Sequence, residues 1–175
     1  MIGFLKEIYT NKKQKYTHYK IMEVHNMSSD LTAKDFILQL LDADNQKPIE
    51  GKLFIQKEMF LIVKEVYNDL ENELDFIAYN YGPYSEKLSY LLEDLKKDSL
   101  IEIDNSDENN KYTITSKGMD FLKNKTFPDE IKRKIHNLKV GSNKLGYKGL
   151  LRYVYFTYPE YTVNSKIKNE VLGEE

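Results

Sequence analysis

Two short segments of alternating polarity, set among segments with helical spacing, constrain the fold of this chain most strongly. Residues 101–103 and 112–114 each alternate apolar with polar side chains, and the stretch between them is rich in Asp and Asn. This pattern predicts a β-hairpin. The chain is therefore expected to be mainly α-helical with one small hairpin, an α+β composition.

Helical periodicity predicts three helices before the hairpin, over residues 33–44, 52–70 and 84–97, with a short extended piece at 76–79. Thr32 and Asp35 have the spacing of a capping box at the start of the first helix. Pro83 and Ser85 are suited to the entry and the N-cap of the third helix.

After the hairpin, Thr115 or Ser116 is expected to cap a helix that runs through Leu122. Pro128 opens a basic helix that Gly141 is expected to stop. A further helical region over 144–157 is ended by Pro159, and a short helix follows around 167–171.

This order of elements is that of a winged helix-turn-helix with additional N- and C-terminal helices. The helix at 84–97 takes the place of the recognition helix, and the hairpin at 100–114 takes the place of the wing. We divide the chain into an N-terminal extension (1–32), a winged-helix domain (33–122) and a C-terminal helical extension (123–175), which is a candidate dimer or partner interface.

Three segments carry a resemblance to a known family: GKLFIQKEMFL at 51–61, YNYGPYS at 79–85 and YTITSKG at 112–118. Together they resemble the YwgA-like family of small prokaryotic winged-helix proteins. More distantly, the YGPYS-like turn is similar to that of SocA-type antitoxin-associated domains. The resemblance covers about residues 33–122 and implies a DNA-binding regulator or a defence- or toxin-linked module.

The YGPYS turn has two interpretations. Gly82 can adopt a positive φ, Pro83 fixes the entry to the next helix, and Ser85 can accept a hydrogen bond from a free amide there. Because a helix start also attracts anions, the turn is a candidate seat for a DNA phosphate. Alternatively, it only shapes the helix entry, with its tyrosines packed on the preceding helix.

Charge is unevenly distributed along the chain, although the net charge is only −2. Residues 1–27 carry a net charge of +3, residues 28–122 carry −10, residues 123–152 carry +7, and residues 153–175 carry −2. An acidic central region therefore lies between two basic flanks. Such asymmetry bears on binding partners rather than on the fold.

The charge pattern disfavours DNA binding through the predicted recognition helix and wing. Residues 84–98, which are the helix and the Asp98 that follows it, carry a net charge of −1. The wing tip has three acids, and neither segment has an arginine, whereas affinity for DNA depends on Lys and Arg. The basic flanks are better candidates. Candidate DNA- or partner-binding residues are Tyr81, Gly82, Tyr84, Ser85, Lys87, Lys96, Lys97, Lys132, Arg133, Lys134, Lys139, Lys144, Lys148 and Arg152, followed by Lys12, Lys13 and Lys15.

A dense group of aromatic residues follows the basic flank. Interleaved with Lys148 and Arg152, it is able to stack nucleic-acid bases, but such clusters more often form the core or a homodimer interface. The candidate dimer-interface residues are Tyr147, Tyr153, Tyr155, Phe156 and Tyr158.

Several classes of function lack support in the sequence. The chain has no cysteine, three histidines, and no apolar run of the length needed to span a bilayer. It has no P-loop, HExxH or GxSxG motif. We therefore expect a cytoplasmic, non-catalytic protein without a metal or cofactor. Two hypotheses remain: a homodimeric winged-helix DNA-binding regulator of a defence or toxin-antitoxin operon, and a protein-interaction module that presents its acidic surface to a basic partner.

Overall fold

The computed structural model describes residues 31–106 and 109–173, referred to below as the described residues. They form the helices α1 (Ala33–Gln46), α2 (Lys52–Leu61), α3 (Glu71–Leu74), α4 (Glu86–Lys97), α5 (Ser116–Lys123), α6 (Asp129–Thr157) and α7 (Lys168–Leu172), and the strands β1 (Ile49–Glu50), β2 (Ile77–Tyr79), β3 (Gly82–Tyr84), β4 (Ile101–Asp104) and β5 (Lys111–Ile114). The predicted mainly helical α+β class with a wing-like hairpin is confirmed. No helix within the described ranges has the length and apolar character needed to cross a membrane.

The wing-like hairpin belongs to a three-stranded antiparallel sheet with the order β1-β5-β4. Ile101 pairs with Ile114, and Ile103 pairs with Tyr112, as the alternation predicts. The two-residue strand β1, which periodicity did not reveal, adds a third strand through the pairing of Ile49 with Tyr112. Both of these side chains are buried, so the sheet is fixed to the helical core.

The helix caps agree with the sequence pattern. The Ser85 hydroxyl oxygen accepts a hydrogen bond from the Leu88 amide at 2.9 Å, and Thr115 accepts one from the Gly118 amide at 3.0 Å. At the start of α1, the Thr32 amide donates to the Asp35 carboxylate at 2.9 Å. Each contact satisfies a polar group that a helix end leaves without a helical partner.

The helix predicted to continue to Leu70 ends earlier. After Leu61 the chain makes a π-helical turn over Ile62–Val66, and a 3₁₀ turn follows at Asn68–Leu70. Tyr67 leaves the helix in an extended conformation, and its ring stacks on Phe36 of α1 at a centroid distance of 4.9 Å. The segment between α2 and α4 also contains α3 and the β2–β3 hairpin, so it is longer than the short turn of a helix-turn-helix.

The prediction that a helix stops at Gly141 is wrong. Helix α6 continues through Gly141 and is interrupted instead at Gly146, which has φ 65° and ψ −177°. Glycine adopts this conformation at little cost, whereas a residue with a side chain is strained there. Gly141 remains helical because the residues on both sides of it, Lys139 and Ser142, are buried and continue the packing surface of the helix.

The C-terminal extension does not form a separate unit. Helix α6 packs against α1 and α2, and it buries Ile131, Ile135, Leu150, Leu151, Val154 and Tyr155. The chain after α6 returns to the β2–β3 hairpin, where the Lys166 amide donates to the Asn80 carbonyl at 2.9 Å. The segment predicted as an N-terminal extension lies, up to residue 30, outside the described residues.

Candidate interaction surfaces

A buried clamp holds the YGPYS turn against α2. The Gln56 amide donates to the Ser85 carbonyl at 2.8 Å, and its oxygen accepts from the Ser85 amide at 2.9 Å. The adjacent Lys57 ammonium donates to the Pro83 carbonyl at 2.8 Å. Gln56 and Lys57 are both fully buried. Two consecutive side chains of α2 thus fix the backbone from which α4 begins.

Gly82 is required at its position for two reasons. It has a φ of +81°, and an added Cβ would lie 2.8 Å from Cε1 of Tyr155. Tyr155 is itself buried, and its hydroxyl shares a hydrogen bond with Ser165 at 2.8 Å. The turn is therefore enclosed by α2 on one side and by α6 on another.

Because the turn is enclosed, the prediction that Gly82 and Ser85 are binding residues is wrong. Gly82 and Ser85 are buried, and the Ser85 hydroxyl donates to the Leu74 carbonyl while it accepts from the Leu88 amide. Neither residue is accessible to a DNA phosphate, so the turn shapes the helix entry. Tyr81 is exposed and Tyr84 is half-buried, and both remain available to a partner.

Burial has a large effect on Lys57. Removal of the ammonium from water lowers the pKa of Lys57 from 10.5 to about 7. The ammonium keeps one hydrogen bond, to a backbone carbonyl of the turn. The conformation of the turn is thereby coupled to a titratable group.

Two more ionisable side chains, Glu58 of α2 and Lys139 of α6, are buried where these helices pack together. Glu58 is fully buried, and neither carboxylate oxygen has a hydrogen-bond partner among the described residues. Burial raises the pKa of Glu58 to about 8, and the nearby Lys139 ammonium opposes this rise. Lys139 donates to the carbonyls of Leu41 at 3.1 Å and Ala43 at 2.9 Å, at the end of α1.

The sequence predicts Lys139 as a surface contact for nucleic acid, and the structure contradicts this prediction. Its side chain is fully buried, because α6 turns this residue toward α1 and α2. Burial lowers the pKa of Lys139 from 10.5 to about 8. Its role is to hold the end of α1, where Asp44 has a positive φ and accepts a hydrogen bond from the Asn143 amide at 2.8 Å.

The outer face of α4, in the place of a recognition helix, exposes carboxylates. Glu86, Glu93 and Asp94 are exposed on the side opposite the buried stripe of Leu88, Leu92 and Leu95. Tyr90 lies among them, is 63% exposed, and donates its hydroxyl to Glu86 at 3.0 Å. This face therefore has an aromatic centre with an anionic border.

The neighbouring strand adds to this negative charge. Glu102 and Asp104 of β4 and Asp98 at the end of α4 are exposed. The Ser106 backbone amide holds the pKa of Asp104 below its usual value, so this carboxylate stays ionised. We define the acidic surface as the exposed carboxylates of these two elements: Glu86, Glu93, Asp94, Asp98, Glu102 and Asp104.

The lysines of α4 offset the acidic surface only in part. Lys87 lies 3.6 Å from Asp75 and donates to the Asn72 carbonyl, and Lys97 lies 3.4 Å from Asp94. Lys96 is exposed and lies beyond ion-pair distance of any carboxylate of the described residues. Of the three lysines of this helix that are predicted DNA contacts, only Lys96 has no carboxylate partner among the described residues.

Positive charge is exposed instead along α6. Lys132, Arg133, Lys144, Lys148 and Arg152 are all exposed, and so is Lys134, which lies 3.2 Å from Glu130. We call these six residues the basic surface. Its residues lie on both sides of the break at Gly146.

The aromatic candidates for a dimer interface divide into two groups. The exposed fractions of Tyr147, Tyr153 and Phe156 are 45%, 42% and 62%. Tyr155 is buried in the core, so the prediction that it lies in a dimer interface is wrong. Tyr158 is half-buried; its hydroxyl and that of Tyr153 both donate to Glu65, at 3.1 and 2.9 Å. The exposed three remain available for a partner.

The sequence analysis missed Glu58 and Glu65 and predicted the wrong environment for Lys139. One feature of the sequence indicates that Glu58 is buried. The run from Phe54 to Val63 contains only three polar residues, Gln56, Lys57 and Glu58, and a helix that is apolar on all sides is buried on all sides. The polar residues of such a helix must then find partners inside the protein.

Comparison with known proteins adds no assignment. No protein-family model matches the chain, and no curated protein is significantly similar to it.

Proposed function

We propose that this chain is a non-catalytic protein-interaction module of the winged-helix type, which binds a basic protein partner through the acidic surface. Such a module acts either as an antitoxin-like neutraliser of its partner or as a subunit of a larger complex. The winged-helix assignment is supported by the order helix, strand, helix, helix and hairpin, and by the sheet order β1-β5-β4. The YwgA-like resemblance over residues 33–122 is consistent with it.

The observation that carries the proposal is the charge of the acidic surface. A helix in the major groove has phosphates on both sides, so exposed carboxylates on its outer face oppose binding. The same carboxylates attract a cationic partner and accelerate its association. Tyr90 supplies an exposed aromatic side chain among them, and tyrosine is enriched in protein interfaces.

Affinity capture with charge-reversed variants tests this proposal. We expect a stoichiometric basic protein to be captured from the native host by the wild type and lost from the variant Glu93→Lys/Glu102→Lys. The matched control Lys132→Glu/Arg133→Glu alters the same number of exposed residues on α6 and is expected to retain the partner. Equal recovery with both variants would reject the acidic surface as the binding site.

A second candidate is a DNA-binding regulator of a defence or toxin-antitoxin operon, and the basic surface favours it. Lys132, Arg133, Lys144, Lys148 and Arg152 lie beyond ion-pair distance of the carboxylates of the described residues, so their charges are available for phosphates. The exposed Tyr147, Tyr153 and Phe156 offer a homodimer interface close to them.

Fluorescence anisotropy at low salt separates the two candidates. A regulator binds the DNA upstream of its own gene more tightly than a scrambled duplex, and it loses affinity in Lys132→Glu/Arg133→Glu. An interaction module shows no preference between the two duplexes. Analytical ultracentrifugation of Phe156→Glu tests the dimer, which this substitution is expected to dissociate.

A further inference from the structure

A cleft of about 770 Å³ lies between the start of α2, the β4–β5 hairpin and the break in α6. Sites for small molecules commonly have volumes of about 300–1,000 Å³. The Gly51 amide at its base donates to the Asn110 carbonyl at 2.8 Å, which joins α2 to the hairpin. No residue of α4 or of the acidic surface lines the cleft, so a ligand bound there does not contact that surface.

The rim of the cleft carries two lysines. Lys47 and Lys52 line it, both are exposed, and neither is within ion-pair distance of a carboxylate of the described residues. The lining carries one carboxylate, Glu50, against these two ammonium groups. The side chains that face the cleft therefore leave an excess of positive charge, which favours an anionic group.

One part of the cleft wall is apolar and aromatic, and the rest is polar and includes Asn109, Asn110 and Asn143. Leu53 and Phe54 of α2 and Tyr147 of α6 line it. Tyr147 follows Gly146 directly, and the non-helical conformation of that glycine separates Tyr147 from the first half of α6. Side chains of this kind hold a planar ring by stacking and by apolar contact.

We propose that this cleft is a binding site for a small phosphorylated ligand with an aromatic ring, the chemical class of the mononucleotides. Lys47 and Lys52 hold the phosphate, and the exposed Tyr147 stacks on the ring. The ligand contacts the hairpin, α2 and α6 together, so its binding stabilises their arrangement.

The test is a titration of the purified chain with AMP, adenosine and inorganic phosphate, followed by the rise in Tm and by calorimetry. We expect saturable AMP binding with a Kd of about 1 mM or lower, and weaker binding of adenosine and of phosphate. Lys47→Gln/Lys52→Gln is expected to weaken AMP binding by about tenfold or more, because two charged contacts are lost. Tyr147→Ala is expected to weaken AMP binding and to leave phosphate binding unchanged.

The matched control is Lys148→Gln, an exposed lysine of α6 next to Tyr147 that does not line the cleft. It is expected to bind AMP within about twofold of the wild type, since its ammonium lies outside the cleft lining and is screened by the solvent around it. Absence of saturable AMP binding would overturn the proposal. Equal losses in Lys148→Gln and Lys47→Gln/Lys52→Gln would also overturn it, because they indicate non-specific attraction of an anion.

Discussion

Replacement of Gln56 by leucine removes the glutamine bonds of the clamp on the YGPYS turn, leaves the Lys57 bond to Pro83 in place, and nearly keeps the volume of the side chain. Gln56 exchanges two hydrogen bonds with the Ser85 backbone, of 2.8 and 2.9 Å, and donates a third to Ser89 at 3.2 Å. In Gln56→Leu the buried Ser85 amide loses its acceptor, which costs about 1–3 kcal/mol, and the other bonds contribute about 1 kcal/mol net. We expect Gln56→Leu to lower the free energy of unfolding by about 2–4 kcal/mol.

Urea unfolding at pH 7 measures this change as a lower midpoint at an unchanged m value. The control is Gln39→Leu, which replaces a buried glutamine of α1 that does not contact the turn. A loss below about 1 kcal/mol in Gln56→Leu, or an equal loss in both variants, would refute the assignment of the clamp. Hydrogen exchange gives a second readout, because the Ser85 amide is expected to lose its protection in Gln56→Leu alone.

Two further predictions concern titration and close packing. Burial raises the pKa of Glu58 to about 8 and lowers those of Lys57 to about 7 and Lys139 to about 8. Stability is therefore expected to fall as pH rises from 4.5 to about 7, to stay nearly level up to about 8, where Glu58 and Lys57 offset each other, and to rise toward 10.5, by at most about 1.4 kcal/mol per pH unit for each group. Urea midpoints measured across this pH range are expected to lose the fall above pH 4.5 in Glu58→Gln and to rise less steeply toward pH 10.5 in Lys57→Met. A wild-type midpoint that is independent of pH would contradict both assignments. Gly118→Ala places a Cβ 2.1 Å from the Leu100 carbonyl oxygen and is expected to destabilise the fold by about 2–4 kcal/mol. Gly141→Ala, which meets no atom within 4 Å, is expected to stabilise α6 by about 0.5–1 kcal/mol in the same assay, and the opposite order would disprove the packing described here.

Much of the fold follows from local pattern. Ser85 and Thr115 occupy N-cap positions because the hydroxyl of an N-cap residue accepts a hydrogen bond from the free amide three residues later. This requirement is visible in the sequence. The β4–β5 register follows from alternation, since Ile101 and Ile114 must occupy the same face. These features depend on neighbours in the chain.

The features that the sequence did not reveal depend on contacts between distant segments. Helix α6 continues past Gly141 because its apolar residues pack on α1 and α2, and tertiary packing outweighs the low helix propensity of one glycine. The sequence predicts a surface position for Lys139 because lysine is seldom buried without partners. Its partners, the carbonyls of Leu41 and Ala43, become available only where α1 ends against α6.

The candidate site was predictable in charge but not in geometry. The net charge of −10 over residues 28–122 indicated an acidic surface, and the structure shows which carboxylates are exposed on α4 and β4. The burial of Gly82 and Ser85 was not readable, because it depends on Gln56 from one side and Tyr155 from the other.

Site-specific photo-crosslinking in the native host tests the central claim most directly. A photo-reactive phenylalanine analogue replaces Tyr90 on α4 in one variant and Phe156 on α6 in the other, and these two aromatic residues are 63% and 62% exposed. The proposed module predicts a crosslink from position 90 to a basic protein and none to that protein from position 156. Crosslinks from position 156 alone, to protein or to DNA, would contradict the assignment of the acidic surface as the binding site.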